Sequence, residues 1–225
     1  MGEKTNTTGV KEVAAAIDAE IRALPILNTP NARAVRRKYS RTLSSAAPGF
    51  ILDLARELLN EYGHRWLAYE LIRGHEPAFQ SIGEPELREL GRGIDSWWSV
   101  DSFARTLSGP AWIRGQITDD VVYKWARSKN RWWRRAALVS TVALNIRSRG
   151  GRGDVPRTLA VCRLLVDDHD DTVAKAMSWA LRELVVHSPD AVSEFLKEHE
   201  GSLHARVKRE VRNKLRTGLK NPVGS

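Results

Sequence analysis

Cysteine is nearly absent from this 225-residue sequence: the single residue, Cys162, lies within an apolar run from Leu159 to Leu165. A disulfide framework and a cysteine-based metal cage are both excluded, and a reducing cytoplasm is the default compartment. Long apolar stretches are missing too. None reaches the roughly 18 uninterrupted apolar residues of a membrane span, and nothing after Met1 resembles the apolar core of a secretory signal, so a soluble protein is expected. There is no Gly-Lys-Ser/Thr phosphate loop and no dinucleotide fingerprint, which leaves nucleotide cofactors without support. The six histidines, His64, His75, His169, His187, His199 and His204, are scattered without ligand spacing. The run Asp167-Asp168-His169-Asp170-Asp171 reads as a turn and helix cap rather than a cation site. No metal or other cofactor is expected.

Phenylalanine and tyrosine are scarce, at four each, whereas tryptophan occurs eight times, a skewed aromatic usage. Acidic residues are outnumbered: 36 Lys and Arg face 27 Asp and Glu, for a net charge of +9. The resulting pI near 10.0 favours a polyanionic partner, such as nucleic acid or an anionic membrane.

No segment alternates with period two over a convincing length, so no strand is predicted. Apolar residues recur instead at helical spacing, beginning with Val10, Val13, Ala14, Ile17, Ile21 and Leu24 and closing at Pro25. A second helix starts at Thr29-Pro30 and runs to the break at Pro48-Gly49. Further helices are expected over 50–62, 65–73, 85–93, 94–108, 119–128, 132–147, 156–166, 171–187, 190–199 and 203–219. Antiparallel pairs recurring about every 35 to 45 residues favour an all-α, HEAT-like helical repeat solenoid with a concave basic face over a collapsed bundle. The expected organisation is a frayed N-terminus over 1–8, one repeat domain over 9–219 and a flexible tail over 220–225.

The charge is unevenly placed. Between Asp120 and Asp154 there is no acidic residue, while Lys124, Arg127, Lys129, Arg131, Arg134, Arg135, Arg147, Arg149 and Arg152 are all cationic. Arg206, Lys208, Arg209, Arg212, Lys214 and Arg216 form a second basic run. One charged run is ordinarily a solvated face. Basic tracts interleaved with Trp point instead to phosphate contacts, with Lys129, Arg131, Arg134 and Arg149 as candidates for DNA binding. The loop Gly150-Gly151-Arg152-Gly153 could approach phosphates, but reads more simply as a flexible linker.

Three clusters could carry chemistry. In Ser96-Trp97-Trp98-Ser99-Val100-Asp101, helical spacing puts Trp97 and Asp101 on one face, with Val100 and Phe103 free to fill the core and Asp95 or Ser96 as the cap. In Trp132-Trp133-Arg134-Arg135-Ala136, adjacent indoles diverge by about 100°, so one of the two belongs to the core. In Ser178-Trp179-Ala180-Leu181-Arg182-Glu183, Trp179 and Arg182 can meet at i, i+3. Each cluster alone could be ordinary buried tryptophan.

Together and in this order, the three clusters resemble the AlkD-like DNA glycosylases of alkylation repair, which are HEAT-like helical proteins; Thr29-Pro30-Asn31-Ala32-Arg33 is a looser match. The resemblance covers roughly residues 20 to 215. It implies that Asp101 is the catalytic carboxylate, that Trp97 and Trp179 line the lesion site, and that Arg135 and Arg182 hold the DNA backbone. Relatives commonly carry a Tyr and a Phe/Gly-rich stretch near the N-terminus, where this chain has Leu24-Pro25-Ile26-Leu27-Asn28.

The implied activity is excision of N3- and N7-alkylated purines from duplex DNA by a cytoplasmic, nucleoid-associated monomer. The positive charge of such a base weakens its glycosidic bond, so a single carboxylate without a general acid can suffice. The reading requires Asp101 to stand beside an indole where DNA passes, rather than in an ion pair beneath the surface. Two other readings use the same basic face: a non-catalytic helical-repeat protein that binds damaged or branched DNA, and a protein-binding solenoid with an acidic partner.

Overall fold

The computed structural model describes residues 7–26 and 28–222. Most of the expected frayed N-terminus, Leu27 of the divergent Leu24 to Asn28 stretch, and the last three residues of the expected tail lie outside the described residues. Those that are described form helices and turns without a strand. No described helix is long and apolar enough to cross a membrane.

The chain divides into two compact units, Met1–Glu86 and Leu87–Ser225. The first contains α1 (Thr7–Arg22), α2 (Thr29–Thr42), α3 (Pro48–Asn60), α4 (Arg65–Gly74) and α5 (Glu76–Gln80); α6 (Glu84–Leu90) runs across the boundary. Proline starts rather than breaks α3, since Pro48 occupies the first turn, where its missing N–H has no helical partner to lose. The α2 cap is Asn28, whose side chain accepts the Asn31 N–H at 2.9 Å. Ile17, Ile51, Leu54, Leu58, Tyr69, Ile72 and Phe79 are all but excluded from solvent and form the core of this unit.

The second unit contains α7 (Trp97–Phe103), a π-helical turn over Ala104–Ser108, and α8 (Gly109–Ile113), which follow one another without a break. It continues with α9 (Asp119–Ala126), α10 (Arg131–Asn145), α11 (Val155–Arg163), α12 (Asp171–Val185), α13 (Pro189–Glu198) and α14 (Ala205–Thr217). α10 is its hub: it packs on α7, α8, α9, α11 and α12, and α12 packs in turn on α14. Ala136 to Asn145 are buried without exception, as expected of a helix surrounded by others. Small residues permit the closest approach. A Cβ on Gly109 would meet the Ala143 Cβ at 2.5 Å and the Ser140 carbonyl oxygen at 2.8 Å.

Three tryptophans serve this core. Trp133 packs on Phe103 edge to face, centroids 5.8 Å apart, and on Trp125 at 5.1 Å. Trp112 is buried and donates its indole N–H to Asp119 at 2.8 Å. Of the adjacent pair, Trp133 is therefore the core residue and Trp132 the outward one.

The glycine loop is not a slack linker. Gly151 lies where a Cβ would strike the Ala143 carbonyl oxygen at 2.3 Å, and the Gly151 and Gly153 N–H groups donate to Ile146 and Leu144 carbonyls at 3.1 Å each. These glycines close the C-terminal end of α10, whose last carbonyls need donors. Cys162 is buried, and burial pushes its thiol up to about 12, so it is an inert packing residue.

Candidate active site

Every residue of the candidate site belongs to the second unit. α7 begins at Trp97 because Ser96, in extended backbone, accepts the Ser99 N–H while the Ser99 hydroxyl accepts the Ser96 N–H, a reciprocal cap. Ser96, not Asp95, is the capping residue. The first turn then sends Trp97 and Trp98 outward, 63% and 46% exposed, while Val100 and Phe103 are buried. Asp101 follows Trp97 by one turn.

Asp101 is not a free carboxylate. Arg135 on α10 donates from Nε to Oδ1 and from Nη2 to Oδ2, both at 2.9 Å, the parallel geometry that suits guanidinium to carboxylate. Its Nη1 donates to the Thr172 carbonyl at 2.7 Å. One guanidinium thus ties α7, α10 and the first turn of α12 together. The Arg135 side chain is 6% accessible, and that of Asp101 is 17% accessible. Burial pushes the Asp101 carboxyl above its ordinary value, against the opposing pull of Arg135 and then Arg105.

Outside this pair lies an open cavity of about 330 Å³, lined by Trp97, Trp132, Arg135, Thr172 and Lys175. The two indoles come from different helices and face a space that contains an arginine and a lysine. Asp101 stands behind Arg135 rather than in the lining. The expected free Asp101 beside Trp97 is therefore not what the fold builds: Asp101 stands in an ion pair with the enclosed Arg135, the arrangement the catalytic reading had to avoid, and it is Arg135 that shares the cavity wall with Trp97.

Trp179 is half-buried and does not line this cavity. Its indole N–H donates to Glu183 at 3.0 Å, one turn along α12. The cation above its ring is Arg105, 5.2 Å from the centroid, which comes from the π turn. Arg182 donates from Nε to the Ser178 hydroxyl, one turn back on α12, at 3.2 Å, and that hydroxyl donates to the buried Glu210 of α14 at 2.6 Å. Burial lowers the Arg182 pKa, opposed by Glu210 and Glu183.

The candidate DNA-binding cations divide into two groups. Lys129 is exposed; Arg131 lies over Trp132 at 5.0 Å and near Asp170 at 3.6 Å; Arg149 is half-buried. Arg134 donates to Asp168 at 2.6 Å and to the Ser128 and Lys129 carbonyls, and Arg135 is enclosed with Asp101. The tract is less cationic in space than along the chain, since the fold supplies Asp170, Asp168 and Asp101 to Arg131, Arg134 and Arg135. Asp170 also caps α12, accepting the Thr172 and Val173 N–H groups, which gives the acidic run its expected capping role.

Arg105, Lys175 and Glu210 were not marked by the sequence motifs. Arg105 follows Asp101 by four residues, a spacing that puts opposite charges on one helix face, and this was the available signal. Glu210 follows Arg206 by four residues on α14, the same kind of signal, but its hydrogen bond to Ser178 on α12 has no local mark.

A family model described as DNA alkylation repair enzyme matches residues 10–215. None of the curated proteins matches the chain.

Proposed function

The chain belongs to the DNA alkylation repair enzymes, and from that premise we propose that it is a DNA glycosylase that releases N3- and N7-alkylated purines from duplex DNA. One observation carries the reading. A part-buried carboxylate, Asp101, is held by the same guanidinium that lines an indole-walled cavity, so the reading requires bound DNA to draw Arg135 off the ion pair before Asp101 can act.

A cationic purine leaves as a neutral base: the C1′–N bond breaks, its electron pair goes to the ring, and no proton donor is needed. Charge then develops on the sugar. Asp101 stabilises that oxocarbenium-like centre and accepts the proton of the water that attacks C1′. A carboxylate has about four lone-pair positions, and Arg135 uses two, so the carboxylate is oriented with acceptor capacity left over. A phosphodiester entering the cavity competes for Arg135, and each N–H turned to phosphate returns charge to Asp101. Trp97, largely exposed, attracts the cationic base by roughly 0.5–2 kcal/mol, and the second indole of the cavity is Trp132, not the expected Trp179, whose ring lies under Arg105. Lys129, Arg131, Arg149 and Arg182 serve the backbone. A neutral base gains little here and still lacks a proton donor, so neutral lesions are poor substrates.

The ion pair also favours a second reading, a non-catalytic binder of damaged or branched DNA in which Asp101 serves only to hold Arg135. Incubation with methylated duplex DNA, followed by chromatography of free bases, separates the two. Release of 7-methylguanine by the wild type and not by Asp101→Asn supports the glycosylase. Duplex binding without release supports the binder.

A further inference from the structure

Arg105 is carried on the π turn four residues beyond Asp101, and its guanidinium carbon lies 5.2 Å from the Trp179 ring centroid. A π turn inserts an extra residue into helical backbone and re-aims the side chains it carries; here it is followed at once by Gly109, packed tightly on α10. Trp179 is itself fixed, its indole N–H bonded to Glu183 at 3.0 Å. The Arg105 Nε is shut off from solvent and has no hydrogen-bond partner among the described residues. A charged donor withdrawn from water without an acceptor is unfavourable. Asp101 feels the Arg105 charge, but its oxygens are turned to Arg135 and accept nothing from this Nε.

We propose that Arg105 is a phosphodiester-binding residue and that Trp179 is the platform that positions it. A guanidinium resting on an indole keeps its remaining donors directed away from the ring, and such a planar donor edge matches the oxygens of a phosphate. Trp179 then acts on the DNA backbone through Arg105, and the lesion is faced chiefly by Trp97. This rests on the reading that the site meets duplex DNA, but not on whether it cleaves a glycosidic bond.

The test is binding of an undamaged duplex by the full chain over a range of salt concentrations, with wild type, Arg105→Gln, Arg105→Lys, Trp179→Leu and the Arg105→Gln/Trp179→Leu double variant. One lost phosphate contact lowers the slope of log K against log salt by about 0.9. Arg105→Gln is expected to show that change, with affinity about tenfold weaker at low salt. Arg105→Lys keeps the charge and the stem packed in the turn, and is expected to keep the wild-type slope with part of the affinity. Trp179→Leu is expected to approach the glutamine variant, and the double variant to be no worse than Arg105→Gln alone. The proposal is overturned if Arg105→Gln leaves affinity and slope unchanged, if the lysine lowers the slope as far as glutamine does, or if the two single losses multiply. Base release from methylated DNA is scored separately. A protein without glycosylase activity whose binding depends on Arg105 overturns only the catalytic reading, and an active one without that dependence overturns only this proposal.

Discussion

Arg135 grips Asp101 through two N–H···O bonds of 2.9 Å and anchors itself on the Thr172 carbonyl with its remaining arm. The direction of the carboxylate is therefore set from α10, and its affinity for a proton by burial first and Arg135 second. Replacing Asp101 by Asn leaves a side chain of the same shape but removes the negative charge opposite a developing sugar cation. Release of 7-methylguanine is expected to fall by about 100-fold or more, the scale at which a single electrostatic stabiliser contributes, while duplex binding persists.

The same pair fixes the sign of a pH effect. Asp101 must be ionised to act, and burial holds its pKa above the ordinary 3.8. Activity is expected to fall with decreasing pH through a limb that lies above the usual aspartate range. Arg135 pulls this pKa down, so Arg135→Gln moves the limb further towards neutrality. Single-turnover base release measured across pH checks both statements; a limb that Arg135→Gln leaves in place or lowers contradicts them.

The exposed and buried tryptophans are expected to part company on substitution. Trp97 is 63% exposed, so Trp97→Ala changes folding stability by no more than about 0.5 kcal/mol, yet lowers release of a cationic base by roughly 2- to 30-fold, the equivalent of one cation–π contact. Trp133 packs between Phe103 and Trp125, and Trp133→Ala costs about 3–5 kcal/mol. Urea unfolding alongside the release assay distinguishes the two classes.

Local order was far more legible in the sequence than long-range pairing. Helix periodicity, a cap at Asp95 or Ser96 and the split of the Trp132 and Trp133 pair between core and surface follow from spacings of one to four residues, while the choice of Ser96 and of Trp133 comes from the fold. The partners of Arg134 and Arg135 are 34 residues away, at Asp168 and Asp101, a separation at which no periodicity operates. A stretch lacking acidic residues therefore looked like an open phosphate face, although Arg131, Arg134 and Arg135 all have carboxylate partners from elsewhere in the chain. The π turn was invisible for a related reason. Residues 94–108 have continuous helical patterning, and nothing local marks the turn, which ends where Gly109 packs on α10.

That passage can be tested directly. A Cβ on Gly109 would overlap the Ala143 side chain and the Ser140 carbonyl, both in the buried centre of α10. Backbone and a packed methyl cannot move aside as a flexible side chain tip would. Gly109→Ala is expected to cost about 1–3 kcal/mol and to lower the melting temperature by about 2–4 °C for each kcal/mol. An unchanged melting temperature would mean that α8 and α10 are not in this contact.

Glu210 supplies the last prediction. It is buried on α14 with the Ser178 hydroxyl at 2.6 Å and with Arg206 and Lys220 each at 3.5 Å. Burial pushes its pKa up, but Ser178, Lys220, Arg182 and Arg206 together overcome this and hold it below the ordinary 4.5. A carboxyl whose folded value is depressed binds its proton less readily than in the unfolded chain. Its stabilisation is therefore complete above the ordinary glutamate value and is lost as pH falls through the depressed one. Glu210→Gln is expected to cost about 3 kcal/mol at pH 7, because it leaves several cations around an uncharged group. The deficit should shrink as acid protonates Glu210 in the wild type, so unfolding curves of the two proteins converge below the ordinary glutamate range. A deficit that stays constant with pH would show that Glu210 contributes shape and hydrogen bonding at this junction, not charge.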